Sequence, residues 1–222
     1  MPDYRAPLRD IHFVINDLLD APTHYTRLSG CEEVTTDLLA AILDGGAKFA
    51  ENIAAPLNKV GDEHGCQFHN GNVTTPPGFK EAFAQYGADG WQALGIPAEL
   101  GGQGLPTSVG MMVNEMIGGA NWALNMYSGL ANAPVTCLIH GGTDEQKATY
   151  IPNIINGTWG GTMCLTEPHC GSDVGLVRTK AVKNTDGSYA LTGTKIFMSG
   201  GEQDMTPNII HAVLARVEGA PK

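Results

Sequence analysis

The chain has 222 residues, 42% of them hydrophobic, and a formal net charge of −10 from 13 basic and 23 acidic side chains. That length suits one large domain, or one complete domain plus part of another. So acidic a surface repels phosphate backbones and anionic lipid, which argues against nucleic-acid binding and membrane docking. Five cysteines without a CxxC pair do not form a secreted disulfide framework and fit a reducing, cytoplasmic setting. The opening MPDYRAPLRD lacks the apolar stretch of a signal peptide, and no run approaches eighteen apolar residues, so no membrane span is expected.

In chain order, residues 1–32 form an N-terminal segment. Ile11, Val14, Ile15, Leu18 and Leu19 recur at helical spacing, with Pro7 near the start and Pro22 beyond the end. A second helix is expected from about Glu33, with Val34, Leu38, Ile42, Phe49 and Ile53 on one stripe. Pro56 should end or kink it, since proline lacks the donor and crowds the preceding turn. Residues 61–77 read as a loop, 78–91 as a short helix, and GIPAELGGQG as a glycine-rich connection. Val109 to Leu124 mark a long, almost charge-free helix. ANAPVTCLIH is a further apolar segment, stopped by Gly141 and Gly142. Thr143 and Gln146 make a capping-box pattern for a helix through Tyr150, interrupted at Pro152, and Gly157 closes the helical half.

After residue 158 the period becomes two. Trp159 to Thr166 alternate as in a strand. Arg178–Lys183 and Ser188–Thr192 flank NTDG, a hairpin signal. Lys195–Met198 and Ile209–Arg216 read as further strands. The fold class is therefore α+β: an all-helical N-terminal domain (33–157, after the 1–32 extension), followed by the beginning of an antiparallel β domain (158–222). A sheet this short, with open edges, suggests a chain that stops in mid-domain.

The run with most chemical content is MCLTEPHCGSDVG (163–175). A strand gives way to a turn containing Pro168 and Gly171, flanked by the hydroxyls of Thr166 and Ser172. Backbone N–H groups in such a turn can grip a phosphate or a ring carbonyl; an ordinary polar turn closed by Ser172 and Asp173 is equally compatible with the spacing. Phe197 by itself reads as a core residue, and Thr166 and Ser199 by themselves as strand-end caps. HGCQFH groups His64, Cys66 and His69 without the second ligand pair of a zinc site. His169 and Cys170, adjacent in a tight turn, read as shape and hydrogen-bond elements, so no metal is expected.

The 163–175 run resembles the acyl-CoA dehydrogenase signature: Cys164, Leu165, Thr166, Glu167, Pro168, Gly171, Ser172 and Asp173 match, whereas His169, Cys170 and Leu176 depart from the usual small residues. GWQALGIPAELGGQG (90–104), GTDEQKATYIPNIINGTWGG (142–161) and GTKIFMSGG (193–201) resemble three other segments of that family, in the family's order. YRAPLRDIHF and the E-P-H-C-G variant are similar to the larger bacterial members with an N-terminal extension, the 3-methylmercaptopropionyl-CoA dehydrogenase group.

The resemblance implies a helical domain, a central β domain and a C-terminal four-helix domain, the last absent from this sequence. It implies FAD, with Leu165 and Thr166 along the flavin ring, Phe197 and Met198 in the strand that packs on it, and Ser199 near flavin N5. Ser172 is implied to hold the pyrophosphate or the CoA portion of the substrate. The implied reaction is α,β-dehydrogenation of an acyl-CoA thioester, with electrons passed to an electron-accepting flavoprotein and a homo-oligomer as the working form. The catalytic base is implied to lie beyond residue 222, which leaves Glu167 a structural role and the 222-residue chain itself inactive. A related flavin oxidase or monooxygenase and a non-catalytic helical interaction domain are the alternatives.

Overall fold

The structure is a computed structural model that describes residues 3–220. Helices occupy the first 155 residues apart from one small hairpin, and the strands that carry the candidate site follow.

The N-terminal segment folds as α1 (Leu8–His12), which widens into a π-helical turn over Phe13–Leu18, and then α2 (Ala21–Tyr25). Ile11 and Ile15 point inward, but Leu18 and Leu19 are exposed, so the expected five-residue stripe narrows to two. Pro22 lies beyond the end of this helix, as expected, and stands in the first turn of α2, where a missing N–H costs nothing.

Next comes α3 (Thr36–Phe49), capped by the Thr35 hydroxyl accepting from Leu38 N–H at 3.2 Å. It passes through a π-helical stretch, Ala50–Ala54, into α4 (Ala55–His64). Pro56 therefore neither ends nor interrupts the rod: the wider turn before it places the proline in the first turn of a fresh α segment. The buried stripe is Leu39, Leu43, Gly46, Ala47, Phe49, Ala50 and Ala54; of the predicted residues Val34 and Phe49 are buried, Ile42 and Ile53 are partly buried against the core, and Leu38 is exposed. A Cβ on Gly46 would stand 3.1–3.2 Å from Met116 and Val113, so small residues, not the bulkiest, mark where the next helix crosses.

The expected 61–77 loop is instead the end of α4 followed by a hairpin, β1 (Gln67–His69) and β2 (Asn72–Thr74), antiparallel about Asn70–Gly71. Both turn residues have positive φ, the requirement of a tight hairpin turn.

α5 (Phe79–Ala88), α6 (Thr107–Ala120), α7 (Trp122–Gly141) and α8 (Asp144–Ile155) complete the helical part. The predicted Val109–Leu124 helix breaks at Asn121, whose Oδ1 accepts from Leu124 N–H (3.0 Å) while its Nδ2 donates to the Ala54 carbonyl (3.1 Å). α7 runs through Pro134, and Gly161 explains the tolerance: a Cβ there would lie 2.7 Å from the proline ring and 2.8 Å from Ala131 Cα. The ring is packing surface, which offsets the lost hydrogen bond. The capping box of α8 forms in both directions (2.9 and 3.2 Å), and Pro152 falls within its last turns. One buried cluster joins α3, α5 and α6 through Leu43, Phe79, Val109, Val113 and Ile117; a second joins α7 to α8 through Val135, Ile151 and Ile154.

In the strand region β3 (Gly160–Cys164) pairs in parallel with β6 (Ile209–Val213). β4 (Lys180–Lys183) and β5 (Tyr189–Thr192) form the expected antiparallel hairpin, and β7 (Arg216–Val217) adds to β4 in parallel. The expected strand Lys195–Met198 does not form. Its residues make an irregular crossing, with Phe197 at φ +57°, because its hydrogen bonds go to a turn rather than a ladder.

Candidate functional site

β3 lies flat on α7 through Gly161 and delivers the chain at Cys164 to the corner that follows. Leu165 is exposed and Thr166 half-buried. Glu167 and Cys170 then exchange two backbone hydrogen bonds, 2.9 and 3.1 Å, closing a tight turn over Pro168 and His169. Asp173 Oδ1 accepts from Gly175 N–H at 3.1 Å and starts a short 3₁₀ turn, Val174–Leu176. Ser172 stands exposed at the outer end of the corner.

The crossing segment 195–199 lies directly beside this corner. Ile196 N–H donates to the Thr166 carbonyl at 2.9 Å, and Lys195 Nζ donates to the Leu165 carbonyl at 2.9 Å. The two stretches that the resemblance placed along a flavin are thus adjacent, although 30 residues separate Leu165 from Lys195. Beyond Ser199 the chain is fastened to the helical part. A Cβ on Gly200 would stand 3.2 Å from the Tyr127 ring, and Asp204 Oδ1 accepts from both the N–H (2.9 Å) and the hydroxyl (2.7 Å) of Thr75.

Phe197 is 90% exposed, so the reading of it as a core residue fails. Its left-handed backbone is rare for a bulky side chain and turns the ring away from the protein. Leu165 and Met198 are also exposed, so three apolar side chains and the hydroxyls of Thr166 and Ser199 come from two adjoining segments. Among the described residues those two hydroxyls and that of Ser172 engage no partner. This surface fits a planar heterocycle with a polar edge: apolar faces to cover, and short hydroxyls and turn N–H groups to bond.

Glu167 occupies the opposite, inward side. It is 3% exposed and accepts from Thr179 Oγ1 (2.6 Å), Thr179 N–H (2.9 Å), Arg178 N–H (2.7 Å) and Lys195 Nζ (2.9 Å). These donors, the Thr179 hydroxyl foremost, hold its carboxyl well below the usual carboxylate range despite the opposing effect of burial. It is a buried joint between chain segments, and the same donors that hold it anionic make it a poor proton acceptor.

The carboxylate of Glu167, a ring nitrogen of His169 and the thiol of Cys170 lie within 4.8 Å of one another, closer than their adjacency in the sequence suggested. Lys195 already neutralises the carboxylate, and His169 Nε2 is 3.0 Å from the Leu176 carbonyl, so a cation would have to displace an ammonium group. His64, Cys66 and His69 turn to separate neighbours: the Val60 carbonyl, the Tyr127 hydroxyl at 3.9 Å, and Asn70. Burial first, and then Cys66, push the Tyr127 phenol up to about 12.

Sequence reasoning missed Lys195, Thr179, Tyr127 and the Thr75–Asp204 tie. Lys195 carried the one available signal, a lone charge in an otherwise apolar stretch beside glycines.

Residues 36–158 match the family model described as "Acyl-CoA dehydrogenase, N-terminal domain". The chain belongs to the acyl-CoA dehydrogenase family. It is similar to 3-methylmercaptopropionyl-CoA dehydrogenase of Ruegeria pomeroyi, at 42% identity over 99% of this chain and 37% of that protein. A broad-specificity linear acyl-CoA dehydrogenase of Mycobacterium tuberculosis is 38% identical over 99% of this chain and 36% of its own length. The solved butyryl-CoA dehydrogenase of Megasphaera elsdenii superposes with a TM-score of 0.67 at 25% identity, over 81% of this chain and 44% of that one. This acyl-CoA dehydrogenase-family chain thus spans little more than a third of the length of the curated relatives it matches. Among the described residues no helix is long and apolar enough to cross a membrane.

Proposed function

We propose that the intact protein is an FAD-dependent acyl-CoA dehydrogenase that introduces an α,β double bond into an acyl-CoA thioester, and that residues 165–172 and 197–199 form its flavin-facing wall. The observation that carries this reading is the exposed wall itself: Leu165, Phe197 and Met198 uncovered, with the Thr166 and Ser199 hydroxyls beside them.

Leu165, Phe197 and Met198 would cover the flavin ring and keep water from the reacting carbons. Thr166 would donate to the ring's polar edge, Ser199 would stand near N5, and Ser172 would hold the pyrophosphate or the CoA portion. Bound FAD would supply a two-electron acceptor able to take hydride from the β-carbon. Glu167, buried and held anionic by four donors, is not the base; we place the proton-abstracting carboxylate outside residues 1–222. We further propose a homo-oligomer that passes its electrons to a second flavoprotein in the cytoplasm. The similarity to the Ruegeria protein tilts the acyl group toward short or sulfur-containing chains.

The test is anaerobic addition of acyl-CoA to the purified intact protein. A yellow protein whose flavin bleaches with a CoA ester supports the proposal. A colourless protein that takes up no FAD refutes it, and rapid oxygen consumption by the reduced flavin points to an oxidase instead. The 222-residue chain alone is expected to show no turnover.

A further inference from the structure

We infer that Lys195 is the positioning residue that fixes the two segments of the wall against each other, acting through Glu167 and the Leu165 carbonyl. The inference rests on the flavin reading for its consequence, but the clamp is a property of the protein alone.

Three stretches distant in sequence meet at this point. Glu167 comes from the corner after β3, Arg178 and Thr179 from the entry to β4, and Lys195 from the crossing segment. The Lys195 and Glu167 side chains are 8% and 3% exposed. Burying an ammonium group is unfavourable unless it is paired and hydrogen-bonded. Here it is both: Nζ lies 2.9 Å from Glu167 Oε1 and 2.9 Å from the Leu165 carbonyl. An apolar side chain could fill this space but could bond neither acceptor, and the buried carboxylate would lose its ammonium partner.

The surroundings are shaped for this contact. Gly193 passes so close to Thr179 that a Cβ would fall 2.7 Å from Thr179 Cβ, which brings Lys195 within reach of Glu167. Two residues later Phe197 turns left-handed, and from Gly200 the chain is anchored by Tyr127 and by Asp204 on Thr75. Residues 197–199 therefore hang between two anchors. The downstream one belongs to the helical part; the upstream one is the Lys195 clamp with the single Ile196–Thr166 backbone bond. Releasing it frees Phe197 and Ser199 to move relative to Leu165 and Thr166. A wall misplaced by an ångström binds and orients its ligand poorly.

The experiment compares the intact wild-type protein with Lys195→Met, Lys195→Gln and the double variant Lys195→Met/Glu167→Gln. Amide exchange is measured without FAD; then FAD affinity and the flavin midpoint potential are measured. In Lys195→Met, exchange of the Ile196 amide, which is bonded to the Thr166 carbonyl, should quicken at least tenfold while the α3 and α6 cores stay protected. FAD affinity should fall at least tenfold. The midpoint potential should drop, because the orphaned Glu167 carboxylate disfavours added electron density nearby, and the double variant should return it toward wild type while affinity remains weak. Lys195→Gln, which can still donate to the Leu165 carbonyl, should lie between, and it serves if the methionine variant does not fold. Unchanged exchange at Ile196 in Lys195→Met or Lys195→Gln overturns the inference whether or not FAD binds. Wild-type protein that exchanges as expected but binds no FAD overturns the flavin reading and leaves the clamp standing.

Discussion

Phe197 offers a quantitative test of whether this wall is presented to a ligand or is merely part of the protein's own packing. Its ring is 90% exposed and its φ is +57°. Burying a whole phenylalanine is worth about 1.5–3 kcal/mol, so the tenth that is covered contributes about 0.2–0.3 kcal/mol. The left-handed backbone costs a non-glycine residue roughly 1 kcal/mol. Phe197→Ala keeps the strained backbone and loses only the small packing term, so it should cost less than about 0.5 kcal/mol. Phe197→Asn, a residue that tolerates this region, should stabilise by about 0.5 kcal/mol. Glycine relieves the strain but adds freedom to the unfolded chain worth about 0.5–1 kcal/mol, so Phe197→Gly should come out near neutral. Urea denaturation resolves these differences against Phe79→Ala, a fully buried control expected to cost about 3–5 kcal/mol. Flavin binding should respond in the opposite sense. All three substitutions remove a ring that would be covered by the ligand, and FAD affinity should fall roughly 10- to 100-fold. A Phe197→Ala variant destabilised by 3 kcal/mol or more, or one that binds FAD as tightly as wild type, would show that the ring serves the fold and not the ligand.

Asn121→Ala removes both the cap of α7 and the bond to the Ala54 carbonyl, and should cost about 2 kcal/mol in urea unfolding. Gly161→Val drives a side chain into Pro134 and Ala131; a loss of about 1–3 kcal/mol or more, with lower soluble yield, is expected from the overpacking. Because the folded state lowers the Glu167 pKa, its contribution is fully present above the usual glutamate range and is lost as pH falls below about 4.5. The stability gap between wild type and Glu167→Gln should therefore shrink on acidification, as followed by urea midpoints between pH 7 and pH 3. Tyr127, raised from 10.0 to about 12, should resist ionisation in an ultraviolet titration, and the folded state should lose stability between those two pH values.

Local signals in the sequence went furthest where chemistry is local. The T-x-x-Q box of α8 formed as written, because both bonds lie within one turn. NTDG made its hairpin because a type of turn, not a distant contact, decides it. The same logic applied to Asn70–Gly71 would have found β1 and β2 in the stretch read as a loop. The helix interfaces were harder to read. Weight given to large residues found the buried Val34 and Phe49 but also the exposed Leu38, and passed over Gly46, Ala47 and Ala50, where closeness of approach to α6 matters more than side-chain volume. Pro56 misled, since a π turn before it absorbs the defect. At the site, the residues bearing the family motif fell together, but the parallel pairings and the clamp did not show. Alternation along a strand reports which face is buried, not its partner, and nothing local tells that Lys195 and Glu167 will meet across 28 residues.

We propose that Leu165–Ser172 and Phe197–Ser199 form one flavin-facing surface. Photolabelling of the intact protein with a photoreactive azido analogue of FAD, followed by mapping of the adducts by mass spectrometry, tests it most directly. Adducts on both stretches, competed away by FAD, are the expected result. Competable adducts that fall only on other segments, with neither stretch labelled, would contradict it.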